Sequence, residues 1–187
     1  MKVARHKKRF NASNLDIRET RLDDLPKIFV LGEKLFTAEK WPVLYRSWDQ
    51  YELVEFFLAD GDFCFVADYD GEIVGFVFGT LFEKRKKAWI YGHVSWLGVS
   101  EDYKGKGIGT RLLKKLTDVF IVNGARMMLA DTDPHNNDAM AFFQKNKFEN
   151  EVPHIYLSKN LTDHPHYIKQ RRLSIRRKIF HRKRVKM

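Results

Sequence analysis

The stretch Lys104-Gly105-Lys106-Gly107-Ile108-Gly109-Thr110 carries more chemistry for its length than any other part of the chain. Three alternate glycines remove the side chains that would hold a ligand away from the backbone. A strand-like run over 89–99 precedes the loop and a helix-patterned run over 108–123 follows it. The loop's N–H groups therefore converge on a helix N-terminus, which carries about half a positive charge and suits a phosphate or pyrophosphate. Lys104 and Lys106 add charge where that anion would sit, which a simple turn does not require. The spacing excludes the two common phosphate loops. A dinucleotide turn needs G-x-G-x-x-G, but the sixth position is Thr110, and no Gly-Lys-Ser/Thr of a P-loop is present.

The elements that must position this loop are legible in outline. Residues 15–18 alternate as a first strand. Asp23 or Asp24 caps a helix with Pro26 in its first turn, and a second helix covers 48–58. Strands at 63–69 and 73–82 are joined by Asp70-Gly71, a hairpin signal, and a third strand runs over 88–99. Ile108, Leu112, Leu113, Leu116, Val119 and Phe120 follow helical spacing, and Asn123-Gly124 closes that helix. Then come a buried strand at 127–130, a loop to 137, a helix at 139–146 and a last strand at Ile155-Tyr156-Leu157.

With 187 residues and 44% hydrophobic content, the chain can bury one good core. Its single cysteine, Cys64, excludes a disulfide framework and a cysteine-rich zinc site, and reads as a small core hydrophobe. No metal is expected. No apolar run reaches the ~18–20 residues that span a bilayer, and the charged N-terminus has no apolar segment behind it. A soluble protein of the cytoplasm follows. The net charge of +10 is uneven. Residues 1–10 hold five Lys/Arg and no acid, whereas 163–187 hold ten against Asp163 alone. The chain thus divides into a basic lead (1–13), a mildly acidic body (14–162) and a basic tail (163–187). The tail reads as a helical or disordered extension. It is either the footprint of nucleic acid, a ribosome or an anionic membrane, or a solubilising end.

The loop after a strand ending in Val99 resembles the acyl-CoA-binding loop of the GNAT superfamily of N-acetyltransferases, Arg/Gln-x-x-Gly-x-Gly/Ala. A second segment, from Asn136 to Phe148, resembles that family's Asn-x-x-Ala-x-x-Phe-Tyr-x-Lys-x-Gly-Phe. The resemblance covers about residues 14–162. It implies an α/β (α+β) fold with a mixed central sheet of about six or seven strands flanked by helices. It also implies acetyl-CoA as cosubstrate and a primary amine of a protein, peptide or small molecule as acceptor. Leu97, Gly98 and Val99 would then pair with the pantetheine arm as with an added strand. Lys104, Gly105, Lys106, Gly107, Ile108, Gly109 and Thr110 would hold the pyrophosphate, with Asn136 and Phe143 beside the arm.

Departures from the family pattern bear on catalysis. Phe143 stands where many relatives carry a proton-donating tyrosine. A thiol with a pKa near ~8.5 leaves acceptably as thiolate, so the loss lowers the need for an acid without abolishing transfer. Lys147 replaces a glycine, so the preceding helix is expected to end differently. Many relatives place a glutamate base four residues before Val99; here that residue is Ser95, with His93 two further back on the same strand face by period two. An imidazole, titrating near ~6.5, suits general-base work, and Ser95 could orient a water. A histidine simply hydrogen-bonded within an aromatic strand is the equal alternative. Asp131 and Asp133 read as amine-binding groups or as loop and cap residues, and Glu39, Trp41 and Tyr45 as pocket or packing residues. The resulting reading is an N-acetyltransferase acting by direct attack in a ternary complex. Its rival is a non-catalytic acyl-CoA-responsive binding protein tethered through its basic tail.

Overall fold

The computed structural model describes residues 10–37, 48–83, 89–153, 155, 157, 159–171 and 173. Glu39, Trp41, Tyr45 and most of the basic ends lie outside the described residues. The chain divides into two compact units, Met1–Phe148 and Glu149–Met187.

In the first unit the order is β1 (Leu15–Glu19), α1 (Leu25–Leu35), α2 (Gln50–Ala59), β2 (Cys64–Tyr69), β3 (Glu72–Glu83), β4 (Ile90–Val99), α3 (Ile108–Val122), β5 (Ala125–Ala130) and α4 (Asn137–Lys145). The strands form one sheet in sequence order. Neighbours from β1 to β4 are antiparallel, and β5 joins β4 in parallel after the crossover through α3. The alternating apolar strands bury both faces. One face packs Phe65, Val74, Val77 and Val94 against Ile108, Leu112, Leu116 and Phe120 of α3. The other packs Val66, Phe76, Phe78 and Trp96 against Ile28 and Leu31 of α1 and Leu53 of α2.

Local signals account for the element ends. Asp49 caps α2 by accepting hydrogen bonds from the N–H groups of Tyr51 and Glu52. Gly124 takes the left-handed conformation after α3 at φ 83°. Asp24 holds the N-cap position of α1 but makes no side-chain capping bond to that helix. Its carboxylate accepts from the Arg21 N–H at 2.8 Å and receives two bonds from the Arg18 guanidinium at 2.7 and 2.9 Å. Arg18 also reaches Asp68 on β2 at 2.9 Å, so one cation ties the start of α1 to the sheet. Cys64 is fully buried, and that burial pushes its thiol pKa up to about 12, in keeping with a core role.

Five strands are present among the described residues, fewer than the six or seven expected. The missing one is the strand read at 155–157. Ile155 and Leu157 are 81% and 93% exposed and lie outside any ladder. Apolar alternation makes a strand only where an edge and a buried face receive it. In the second unit, residues 165–171 are helical. Among the described residues no helix is long and apolar enough to cross a membrane.

Candidate active site

The site is organised by an irregularity in β4. Phe78 lies opposite Trp96 and Gly79 opposite Val94, so the register steps past Ser95, the inserted residue of a β-bulge. Above the bulge, Leu97 and Val99 face α3, while Gly98 faces α1. Below it the parity reverses. Val94 and Gly92 take the α3 side, where a Cβ on Gly92 would stand 2.3 Å from the Phe120 ring. His93 therefore lies on the α1/α2 face, not on the face of Leu97 and Val99 that period-two counting assigns it.

The bulge keeps His93 and Ser95 in contact. The imidazole Nδ1 stands 3.3 Å from Ser95 Oγ, and Nε2 stands 2.6 Å from Asp131 Oδ1. Asp131 follows the last residue of β5, and the parallel register sets His93 beside Leu129 and Val94 beside Ala130. Ser95 is buried, whereas the imidazole is 23% exposed. Phe82 stacks on Tyr91 and tilts against the imidazole, forming an aromatic wall on one side. Sequence reasoning missed the His93–Asp131 pairing. Its signal was a parallel strand ending at Ala130, but pairing across 38 residues needs the register.

Along β4 the backbone runs from this cluster to the glycine loop. The β4–β5 ladder ends at Val94 and Ala130, yet β4 runs on to Val99. Leu97, Gly98 and Val99 thus extend past the last pair of the β4–β5 ladder, beyond the end of β5 at Ala130. Beyond them a short turn (Glu101–Tyr103) enters the glycines. Gly105 and Gly107 have φ of 73° and 77°, with open space where a Cβ would be. Gly107 precedes α3, no described side chain caps that helix, and its first backbone bond runs from Arg111 N–H to Gly107 C=O. The N–H groups of Ile108, Gly109 and Thr110 are the orphan donors of the first turn. Gly109 serves a different purpose, lying against Phe142 of α4.

The two lysines are engaged within the loop itself. Lys104 pairs with Glu101 at 2.8 Å. Lys106 donates to the Asp102 carbonyl at 2.9 Å and sits over the rings of Phe10 and Tyr103. Burial, then the nearby Glu72 carboxylate, raises the Tyr103 phenol pKa, so it remains a neutral support for the loop.

Helix α4 supplies the second motif. The Asn136 side-chain oxygen caps it by accepting from the Ala139 N–H at 3.2 Å. Asp133 accepts from the His135 N–H at 2.8 Å, turning the loop. Phe143 packs between Phe142 and Phe148, with centroids at 5.3 and 5.0 Å. Lys147 holds φ +70° as Phe148 N–H bonds back to Phe143 C=O. The helix thus ends in the left-handed turn a glycine would make, despite the lysine. Among the described residues no three His, Cys, Asp or Glu side chains group to hold a metal ion.

An antiparallel meander, a parallel strand that stops at Ala130 while β4 runs on to Val99, and glycines at a helix N-terminus accord with an acyltransferase of the α/β class. The model of the Acetyltransferase (GNAT) family matches residues 33–148, and the chain belongs to that family. It is 30% identical over 155 residues to an acetyltransferase of Pectobacterium atrosepticum, covering 82% of this chain and all of that one. An acetyltransferase of Sodalis glossinidius is 28% identical over the same shares. Among solved structures, the aminoglycoside N-acetyltransferase AAC(6')-Iy, held with a CoA-linked bisubstrate analog, shares the fold at TM-score 0.63 and 21% identity, over 78% of this chain and 98% of that one. Glucosamine-6-phosphate N-acetyltransferase of Arabidopsis thaliana does so at TM-score 0.59 and 21% identity, over 78% and 97%.

Proposed function

We propose that this acetyltransferase moves an acetyl group from acetyl-CoA to a primary amine by direct attack within a ternary complex. The carrying observation is the run of β4 past its β5 ladder into an open glycine loop at an uncapped helix N-terminus. The pantetheine arm, whose two amides resemble a peptide's, would lie along Leu97, Gly98 and Val99 as an added strand. Its pyrophosphate would take the N–H groups of the loop from Lys104 to Thr110, and Asn136 and Phe143 of the α4 segment would border the arm. An amine reaches the site as ammonium, with a pKa near ~10.4, and is inert until it loses a proton. His93 is the group proposed to accept it, with Ser95 at its Nδ1.

Acetyl-CoA should raise the unfolding midpoint of the full chain, by an amount that grows with the logarithm of ligand concentration above Kd. Thiol release should follow with one or more members of an amine panel. Peptides, aminosugars, polyamines and aminoglycosides belong in that panel, the last because the structural neighbours act on them. Absence of any thermal shift at millimolar acetyl-CoA would overturn the reading. A shift without thiol release across the panel would favour the acyl-CoA-responsive binding protein, to which Phe143 and the absent glutamate base also point. The segment 163–187 carries ten Lys/Arg and is proposed to contact nucleic acid or a ribosome in the cytoplasm. Such binding should weaken steeply with salt and vanish on deletion after residue 162.

A further inference from the structure

We propose that Asp131 is the positioning residue that sets the tautomer of His93, leaving Nδ1 as the nitrogen that accepts the proton. This rests on the acetyl-transfer reading above and deepens it. A carboxylate only accepts hydrogen bonds, so the 2.6 Å contact between Asp131 Oδ1 and Nε2 requires the proton on Nε2. In the neutral imidazole the lone pair then lies on Nδ1, the nitrogen 3.3 Å from Ser95 Oγ. A bare Nδ1 accepts from the Ser95 hydroxyl in the resting state. That spacing is long for a working hydrogen bond, as is common before substrate binds.

The bulge is what makes the chain continuous. A regular β4 would put residues 93 and 95 on one face at the ordinary two-residue separation. The inserted Ser95 instead lets its hydroxyl meet the imidazole while Leu97 to Val99 keep their own register for the acyl carrier. Asp131, leaving β5 where the ladder stops, closes the other end.

The proton balance is complete. The acceptor R–NH3+ passes one proton to His93 Nδ1, and the imidazolium is held by the Asp131 carboxylate. The freed nitrogen lone pair attacks the thioester carbon, the C–N bond forms and the C–S bond breaks. The nitrogen releases its second proton to water as the amide forms. The thiolate takes the proton from the imidazolium, restoring neutral His93.

The decisive experiment is 15N NMR of the imidazoles in the full chain, with His93 assigned by its loss in His93→Gln. Wild type should show Nδ1 bare and Nε2 protonated, and Asp131→Asn should shift His93 toward the other tautomer. In transfer assays, Asp131→Asn should lower kcat about 100-fold with the KM for acetyl-CoA unchanged, because a wrong tautomer disables the base without touching the carrier. Asp131→Glu should recover part of that loss. A wild-type His93 protonated on Nδ1, or an Asp131→Asn enzyme with unaltered kcat, would overturn the proposal. If no amine is acetylated, the transfer reading fails on the thiol assay. The tautomer shift still decides the role of Asp131 independently.

Discussion

Gly109 lies directly under the ring of Phe142. A Cβ at 109 would stand 3.1 Å from Phe142 Cε2 and 3.4 Å from Cζ. This glycine is therefore a packing residue joining α3 to α4, whereas Gly105 and Gly107 are conformational ones with open space around them. Gly109→Ala should change stability by less than about 1 kcal/mol, since the half-buried Phe142 can yield by a few tenths of an ångström and alanine's helix preference offsets the crowding. Combined with Phe142→Leu it should cost less than the two changes summed, a coupling that a urea-unfolding double-mutant cycle would read. Gly107→Ala, strained by its positive φ, should cost ~1–2 kcal/mol and show no coupling to position 142.

Arg18 and Asp24 make stability depend on acid. The Arg18 hydrogen bonds, opposed by burial, hold the Asp24 carboxyl below the usual carboxylate range. A depressed folded pKa means the stabilisation is complete above the unfolded value, near ~3.9, and fades as pH falls through the folded one. Asp24→Asn should cost about 3 kcal/mol at neutral pH, the low end for breaking a buried pair, because Arg18 keeps Asp68. The gap between wild type and variant should narrow below about pH 4. Urea titrations across pH 2.5–7 test this, and a gap constant with pH would contradict it.

The glycine loop and the α4 motif were readable because both are local, set by residue types within a dozen positions. The strands from 15 to 99 were readable for the same reason, through alternation and the Asp70-Gly71 hairpin. What escaped is relational. Nothing in the composition of Val94-Ser95-Trp96 announces a bulge, and one inserted residue reverses the face of everything below it. Asp131 reads from sequence as an amine-binding or a loop residue, because its partner lies on another strand. The three glycines looked equivalent until Phe142 was found above one of them. At Ile155 and Leu157 the apolar pattern was present, but the ladder that turns a pattern into a strand was not.

Lys147 occupies a glycine's conformation at φ +70°, immediately after α4. A side chain in the left-handed region crowds its own backbone, and glycine at this position relieves that strain. Lys147→Gly should therefore stabilise the chain by about 0.5–1 kcal/mol, net of the entropy glycine adds to the unfolded state. A rise in the urea midpoint with an unchanged slope is the expected result. Lys147→Ala, which keeps the Cβ, should leave the midpoint nearly where it is.

Glu101 competes with the proposed anion for Lys104. The pair at 2.8 Å is exposed on both sides, so it contributes little to folding, at most about 1 kcal/mol. Its effect on a phosphate ligand is larger in proportion, because Glu101 both neutralises Lys104 and adds a negative charge beside the loop. Glu101→Gln should therefore leave stability almost unchanged and tighten acetyl-CoA binding about two- to fivefold at low salt. Calorimetric titration at two ionic strengths separates the explanations. A through-space charge effect shrinks as the Debye length falls from ~10 Å at 0.1 M to ~3 Å at 1 M. A gain that persists at 1 M salt would instead mean that the substitution had reshaped the loop.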